Sequence, residues 1–387
     1  MENIKPPKFD SPFLSEKDFY IAVDIIERHI YDKEVLGHEP PWVSPGGNYD
    51  GCWWSLDEAL ALSGYRFIDA GLSRRCFLSL MKTQRPDGRV LLWGNDFIPH
   101  IEITDRMSVV SSLPKYFNVG YDLCAETDDD AFMKRVYISL DKSLEWWFRE
   151  RQDKETGLIS AIFEETFVPY LGGFFEYAPP DTNAEIIFAC EYVADIAERL
   201  GDKRRAEYWR AKQSSLEKAV NAYLWDEKDG FYYPYLLKER KLKKVKLSSA
   251  FSLFSVADEN MRYALRMHLT NHSEFNWDTI PVTTIAKDDL EFIAAEGDIY
   301  TGNSFWSGNV WTLTNETILR ALIKAGEYAL ALDLALKTVK VFAGNYAETI
   351  NPFTGKRQGV KDYVWTAAQV IKIAMKDIPE LTSRTSY

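Results

Sequence analysis

The chain has 387 residues, and its 46 Lys and Arg against 58 Asp and Glu give a formal net charge of −12. This acidic balance argues against a nucleic-acid partner, because phosphate recognition needs a surplus of basic surface. With 46% apolar residues the chain is not of the disordered class. A chain of this length buries about three quarters of the surface that it exposes when unfolded, which is enough for one sizeable core.

The sequence gives no sign of membrane, secretory or metal-binding segments. It contains no run of eighteen apolar residues, and its first residues, MENIKPPKFDSPF, lack the apolar core of a signal peptide. The four cysteines have neither metal-binding nor redox-motif spacing: Cys52, Cys76, Cys124 and Cys190. We therefore expect a cytoplasmic protein without a metal site or a membrane partner. The oligomeric state cannot be predicted from the sequence.

Apolar residues recur at helical spacing through most of the chain, which predicts an all-α protein. In chain order, the predicted helices cover residues 19–26, 57–64, 73–82, 129–151, 183–200, 203–224, 259–269, 304–325, 327–343 and 363–376. Gly201 and Gly326 follow two of them directly, as glycines do at helix C-termini. The stretch 238–246, the one strongly basic run, is expected to be a solvated loop or hairpin.

Short turns join several of these helices into pairs, and longer loops rich in Gly, Pro, Asn and Trp separate the pairs. The long loops cover residues 40–54, 84–100, 158–180 and 343–361. This alternation favours a ring of helical hairpins whose long loops meet at one end, where binding residues normally lie. No Pro- or Ser-rich linker interrupts the chain, so residues 1–387 are predicted to form a single domain.

Aromatic residues are abundant, with 12 Trp, 21 Tyr and 22 Phe. A bulky core is one explanation, and a carbohydrate site is the other, since sugar rings stack on aromatic faces while their hydroxyls bind carboxylates and amides. In one such segment Trp53 and Trp54 precede Asp57 at a predicted helix start. The Asp57 carboxylate either caps that helix or grips sugar hydroxyls beside an indole wall.

Three further segments carry candidate site residues. Four carboxyl groups, Glu164, Glu165, Glu176 and Asp181, flank Gly172 and Gly173 in aromatic and apolar surroundings, which can raise a carboxyl pKa towards the range of a general acid. Asp181 could equally cap the helix that follows it. Next, Trp306 and Trp311 flank Gly308, where the backbone can approach a neighbour closely. Finally, Glu348 precedes an Asn-Pro turn, and Trp365 opens the last helix.

The order of these segments resembles the six-hairpin glycosidases, in particular the trehalase and mannosylglycerate hydrolase group of glycoside hydrolase family sixty-three. A weaker similarity is to the C-terminal part of glycogen debranching enzymes. The matching motifs are Gln84 to Gly88, Glu145-Trp146-Trp147, Gly157 to Ile159, Pro180 to Ala184, Leu224 to Tyr232, Trp306 to Trp311, Glu348 to Gly355 and Trp365 to Ala367. They run in the family's order from about residue 45 to 376, and Asp57 matches the aspartate of the family's first Trp-Asp pair.

The resemblance implies an (α/α)6 barrel and an inverting hydrolase that needs no cofactor and acts on a small α-linked glucoside or mannoside, such as a disaccharide or a glycosylglycerate. In such an enzyme one carboxyl group protonates the glycosidic oxygen and another activates a water. Glu348 matches the family's general base. The family's acid motif is not matched at residues 164–169, so the acid is expected among Asp181, Glu165 and Glu176, in that order. The resemblance also places Trp53, Trp54, Asp57, Glu176, Trp306, Gly308, Trp311 and Trp365 around the sugar.

Two other function classes stay open from the sequence. A sugar isomerase or epimerase on the same barrel would need an acid–base histidine pair; His29 and His268 fall in helices and are read as structural, while His38, His100 and His272 fall in loops. A non-catalytic sugar-binding protein would explain the unmatched acid motif. Four basic residues in loops are either solvated charges or partners for a glycerate-like carboxylate: Arg85, Arg89, Lys356 and Arg357.

Overall fold

The computed structural model describes residues 9, 11–94, 110–167, 177–294 and 306–385. Helices dominate this part of the chain. The α-helices are α1 Glu16–Glu27, α2 Ser55–Tyr65, α3 Ala70–Lys82, α4 Tyr116–Ala125, α5 Asp130–Glu150, α6 Pro180–Arg199, α7 Lys203–Tyr223, α8 Glu259–Leu269, α9 His272–Phe275, α10 Thr312–Ala325, α11 Tyr328–Phe342, α12 Val364–Lys372 and α13 Ile378–Thr385. A π-helical turn, Ile373–Asp377, joins the last two.

The strands are two residues long and form small antiparallel sheets in the loops. They are β1 Ile30–Tyr31, β2 Trp42–Val43, β3 Trp53–Trp54, β4 Trp93–Gly94, β5 Tyr177–Ala178, β6 Trp225–Asp226, β7 Phe231–Tyr232, β8 Tyr235–Leu236, β9 Lys241–Leu242, β10 Thr349–Ile350 and β11 Arg357–Gln358. The paired strands are β1 with β2, β3 with β4, β6 with β7, and β10 with β11, while β8 lies between β5 and β9.

Six inner segments form a closed ring. In order around the ring they are α2, α4, α6, the 3-10 helix Ser248–Leu253, α10 and α12, and α12 contacts α2 again. Helices α1, α3, α5, α7, α8 and α11 each pack on the outside of an inner segment. The arrangement is an (α/α)6 barrel, so the predicted fold class is confirmed.

Burial explains which helices lie inside. Every residue of α2 and of α12 is buried, as expected for a helix surrounded by others. The outer helix α5 instead buries one face, which includes Phe132, Val136 and Leu140, and leaves the opposite face to solvent. The helices therefore form an inner and an outer layer, and the aromatic loops connect the two layers.

At three of the inner segments the structure differs from the prediction. The inner helix α4 and the 3-10 helix Ser248–Leu253 were not predicted, because both are short and buried without a clear helical period. The predicted helix start at residue 304 was wrong: α10 begins at Thr312, and Val310 before it bridges to Thr283 and Ile350 in extended backbone. Gly326 ends α10 in the left-handed conformation, with φ +80°, as expected.

The basic run 238–246 lies in the β8–β9 hairpin and beyond it, as predicted. Acidic side chains of neighbouring loops neutralise it: Arg240 pairs with Glu155, and Lys244 pairs with Asp226 and Asp229. The run is therefore a solvated hairpin and needs no external anionic partner.

Charged side chains are also buried between the inner helices, and they are paired. Lys115 contacts Glu185 at 2.5 Å and Glu316 at 3.3 Å, and Lys372 contacts Glu316 at 3.0 Å. Burial favours the neutral form of Glu316, but Arg320, Lys372 and Lys115 outweigh it and hold its pKa well below the usual value. Glu316 is thus the ionised partner of buried bases, and these charged side chains form one network between the inner helices.

Helices α2 and α12 approach so closely at Gly64 that a side chain there has no room. A Cβ atom at Gly64 would lie 1.8 Å from the carbonyl oxygen of Ala368. We expect Gly64→Ala to lower the free energy of unfolding by about 1–3 kcal/mol or more, although Ala is the better helix former. Gly71→Ala is the control, since its Cβ would meet only side-chain atoms of Asp69 and Arg75, at 3.3 and 3.7 Å. Urea unfolding of both variants checks this; equal stability would contradict the packing.

No helix in the described residues is long and apolar enough to cross a membrane.

Candidate active site

A recess opens where the N-terminal ends of α2 and α12 meet the aromatic loops. Its lining comes from the 3-10 helix Gly47–Tyr49, the end of β3, the first turns of α2 and α12, the 3-10 helix Phe163–Glu165 and the segment before β10. The lining residues are Tyr49, Trp54, Leu56, Asp57, Glu164, Trp306, Glu348, Tyr363 and Trp365. Three carboxyl groups and five aromatic rings thus meet in one place.

Glu348 is held in the recess by a hairpin. Its backbone N–H donates to the carbonyl oxygen of Val360 at 2.8 Å, and the N–H of Val360 donates to its Oε2 at 2.9 Å. The β10–β11 pairing follows directly, and Ile350 is bonded on its other side to Val310. The side chain is only 2% exposed. Glu348 therefore has a fixed carboxylate orientation before any ligand binds.

Asp57 lies in the first turn of α2 and is 6% exposed. The hydroxyl of Tyr363 donates to its Oδ1 at 2.6 Å. Burial raises the pKa of Asp57 to about 7, against the opposing effect of the Tyr363 hydrogen bond. This carboxyl group consequently changes charge near neutral pH.

Glu164 is one of the four carboxyl groups that the sequence places around Gly172 and Gly173, but it is not among the three acids expected from the resemblance. It lies in the short 3-10 helix, and its carbonyl oxygen accepts a hydrogen bond from the N–H of Leu113 at 3.0 Å. Burial, followed by the negative charge of Asp57, raises its pKa to about 8. A carboxyl group that stays protonated at neutral pH has the property a general acid needs.

The candidate acids Glu165 and Asp181 lie outside the lining, each satisfied by the chain itself. The carboxylate of Glu165 accepts two hydrogen bonds from the guanidinium of Arg151, both at 2.8 Å, and others from the N–H groups of Ser111 and Ile162. Glu165 is thus held in place by Arg151 and by two backbone donors. The backbone at Glu164 departs from helical geometry, with φ −81° and ψ 22°, and of the two neighbours only Glu164 lines the recess.

Asp181 lies in the first turn of α6 and is bonded to residues 166 and 167. The hydroxyl of Thr166 donates to its Oδ2 at 2.8 Å and the N–H of Phe167 donates to the same oxygen at 2.6 Å. Burial raises its pKa to about 6, yet the group does not line the recess. The third candidate acid, Glu176, lies outside the described residues.

The tryptophans divide between the recess and its support. Trp306 lines the recess and stacks on the fully buried Trp311, with ring centroids 3.8 Å apart and planes 11° from parallel. Trp54 and Trp365 also line it. Trp53 points the other way: its indole N–H donates to the carbonyl oxygen of Val35, because neighbouring residues of a strand face opposite sides.

Gly308 serves the chain's own packing. A Cβ there would lie 2.6 Å from the carbonyl oxygen of Ile293. The predicted close backbone approach is therefore present, but the neighbour is the segment 292–293. Thus the structure brings Trp54, Asp57, Trp306, Glu348 and Trp365 together, keeps Trp311 behind Trp306, and places Trp53 and Gly308 elsewhere.

None of the histidines in the described part of the chain lines the recess. His38 bonds to Glu58 at 2.6 Å with both side chains fully buried, and His29 bonds to the carbonyl oxygen of Ile25. His268 bonds to Glu274 at 2.7 Å, and His272 is exposed by 43% of its side chain. His100 lies outside the described residues.

The recess has no basic lining residue among those that the structure describes. Of the four loop bases, Arg89 donates to the carbonyl oxygen of Val110, and Arg357 donates to that of Gly344. Arg85 and Lys356 do not line the recess either. Within the same ranges, no cluster of three His, Cys, Asp or Glu side chains could hold a metal ion.

Comparison with protein families assigns the chain. Residues 164–366, more than half of it, match the mannosylglycerate hydrolase MGH1-like glycoside hydrolase domain. The chain belongs to this family. The matched region contains Glu164 and Glu348, and it confirms the resemblance deduced from the motifs. The prediction of a glycosidase is confirmed at the level of the family.

Solved structures of glycosidases share the fold. The mannosylglycerate hydrolase of Thermus thermophilus, crystallised with glucose, is 18% identical with a TM-score of 0.73, covering 91% of this chain and 98% of that one. For the neutral trehalase of Saccharomyces cerevisiae the identity is 14%, the TM-score 0.65 and the coverage 87% and 73%. These likenesses concern the barrel.

A curated relative extends beyond this chain. An uncharacterised protein of Borreliella burgdorferi is 23% identical over 248 residues, which are 64% of this chain and 49% of that protein. The chain thus spans about half the length of that relative.

Proposed function

We propose that this family member hydrolyses a small α-linked glucoside or mannoside with inversion of the anomeric configuration. The observation that carries the proposal is the convergence of Glu164 and Glu348 in one recess walled by Trp54, Trp306 and Trp365. Carboxyl groups bind sugar hydroxyls and aromatic faces stack on sugar rings, so the side chains of the recess have the chemistry of a sugar site. We also propose that residues 1–387 form one domain.

In this proposal Glu164 is the general acid, in place of Asp181, Glu165 and Glu176. Its raised pKa keeps a proton available at neutral pH for the glycosidic oxygen of the leaving group. Glu165 and Asp181 are less suited to this step, because neither lines the recess and each is bonded to other parts of the chain. Protonation turns the departing alkoxide into an alcohol, which lowers the barrier to bond cleavage.

Glu348 is the general base in this proposal. The N–H of Val360 donates to one of its oxygens, which favours the carboxylate and orients the other oxygen. That oxygen takes a proton from a water as the water attacks the anomeric carbon on the face opposite the leaving group. Inversion requires room for this water, so we expect the two carboxyl groups to lie about 6.5–9.5 Å apart.

The solved relatives favour the small-substrate class. The Thermus thermophilus mannosylglycerate hydrolase was crystallised with glucose and, separately, with Tris and D-glycerate. Indole walls formed by Trp54, Trp306 and Trp365 among the described residues favour a single sugar ring over a polymer. The reaction we propose needs no cofactor. The location of the protein in the cytoplasm stays a prediction.

The test is the configuration of the first product. We expect ¹H NMR of α-glucosyl and α-mannosyl fluorides, and of the corresponding glycerates, to show the β-anomer of glucose or mannose before mutarotation. Release of the α-anomer would contradict inversion. Sugar binding without turnover of any of these compounds would instead favour the non-catalytic sugar-binding alternative.

A further inference from the structure

Tyr363 joins the last inner helix to the first one inside the recess. Its hydroxyl donates to Oδ1 of Asp57 at 2.6 Å, and both side chains are buried. The ring is fixed on two sides, because it packs edge-on against Trp365 at 4.8 Å and lies 6.3 Å from Tyr49. The hydroxyl is therefore held at one place, facing the Asp57 carboxyl group.

This hydroxyl remains protonated, and therefore a donor, at neutral pH and well above it. Burial, followed by the charges of Asp57 and Glu348 and by Tyr49, holds the pKa of Tyr363 well above its usual value. A neutral hydroxyl that donates to a carboxyl oxygen stabilises the ionised carboxylate. Tyr363 thus favours the negative form of Asp57, while burial opposes it.

The charge of Asp57 acts in turn on Glu164. Both groups line the recess, one from α2 and the other from the 3-10 helix Phe163–Glu165. After burial, the charge of Asp57 is the cause that raises the pKa of Glu164. The other titratable groups facing this pair are Glu348 before β10, Tyr363 before α12 and Tyr49 of the 3-10 helix Gly47–Tyr49.

We propose that Tyr363 is a positioning residue: by holding Asp57 as a carboxylate beside Glu164, it makes Glu164 the carboxyl group of the pair that carries the proton. Without the Tyr363 hydroxyl the proton is shared between the two groups. The inference rests on the acid role of Glu164 in the proposed function. Which of the two carboxyl groups is protonated can nevertheless be measured without any assay of hydrolysis.

The two carboxyl groups differ in how readily they ionise. The pKa is about 7 for Asp57 and about 8 for Glu164, so when one of the two is ionised the favoured form has a charged Asp57 and a protonated Glu164. In Tyr363→Phe, Asp57 loses its donor and ionises at higher pH. Glu164 then has a neutral neighbour over more of the range and ionises at lower pH, as coupled sites do.

The experiment is an infrared titration of the full chain, which follows the C=O stretch of protonated carboxyl groups. The bands missing in Asp57→Asn and in Glu164→Gln assign the two groups. In Tyr363→Phe we expect the Asp57 band to disappear roughly one pH unit higher than in the unmodified chain, and the Glu164 band to disappear at lower pH. A positioning role requires both shifts.

Tyr233→Phe is the matched control. Tyr233 and Tyr363 are both 3% exposed, and Tyr233 likewise donates to a carboxylate, that of Asp229, at 3.2 Å, but it lies outside the recess. The Tyr233→Phe variant should leave the Asp57 and Glu164 bands unchanged. If Tyr363→Phe titrates like Tyr233→Phe, the inference is wrong.

A second variant covers the case in which Tyr363→Phe fails to fold, which circular dichroism would reveal. In Asp57→Asn the Glu164 band should disappear at lower pH, since the negative neighbour is gone; an unchanged band would overturn the inference. Hydrolysis of α-glucosyl fluoride is measured in parallel. Shifted bands in a chain that hydrolyses no glycoside would refute the proposed function alone.

Discussion

Replacing Glu348 by Gln is expected to lower kcat for α-glucosides and α-mannosides by about 10²–10⁴-fold, because a general base contributes this much to catalysis. Gln is nearly isosteric and keeps an oxygen that accepts from the N–H of Val360. The hairpin should therefore stay intact, and KM should change little. Since the base is needed whatever the leaving group is, glycosyl fluorides should be affected as strongly as natural glycosides.

The control for this variant is Glu227→Gln, an exposed glutamate whose carboxylate accepts from the indole N–H of Trp225. It should keep full activity. Steady-state kinetics of the two variants, with thermal unfolding to verify the fold, separates catalysis from stability. A Glu348→Gln variant with unchanged kcat would remove Glu348 from the mechanism.

Glu164→Gln should separate substrates by their leaving groups. For a glycoside whose leaving group is a sugar or glycerate alkoxide, we expect kcat/KM to fall by about 10²–10⁴-fold. Fluoride leaves without a proton, so hydrolysis of the glycosyl fluoride should be largely retained. The loss of activity that the unmodified chain is expected to have above about pH 8, where Glu164 ionises, should be absent for fluoride.

Glu165→Gln is the neighbouring control. Glu165 is bonded twice to Arg151, and removing its charge leaves a buried guanidinium without its counterion. We expect this variant to be less stable, by up to the 3–5 kcal/mol typical of broken buried pairs, while its leaving-group dependence stays that of the unmodified chain. Equal loss on fluoride and on natural glycosides in Glu164→Gln would contradict its role as acid.

Much of the barrel could be predicted from periodicity, because long amphipathic helices such as α5 and α7 repeat their apolar residues every three to four positions. The inner segments α4 and Ser248–Leu253 could not. Their burial depends on neighbours that are distant in the chain, and a short segment that is buried on nearly every side shows no helical period of apolar residues. These two segments can be located only once the other inner helices are seen to form a closed ring.

The site was predictable where one residue stood alone in a loop. Glu348 has no acidic neighbour in its segment, so the motif pointed to it directly. Where two adjacent residues are of the same type, the sequence does not show which of them faces the recess. Only one of Trp53 and Trp54, and only one of Glu164 and Glu165, faces the recess, and the choice depends on the local strand or 3-10 geometry.

The central claim, that Glu164 and Glu348 act on opposite sides of one anomeric carbon, is tested most directly by a crystal structure of Glu348→Gln with an intact α-glucosylglycerate or α-mannosylglycerate. The account expects a Glu164 oxygen within hydrogen-bond distance of the glycosidic oxygen, and a water between Gln at 348 and the opposite face of the anomeric carbon. A sugar bound with either side chain remote from that carbon would contradict it.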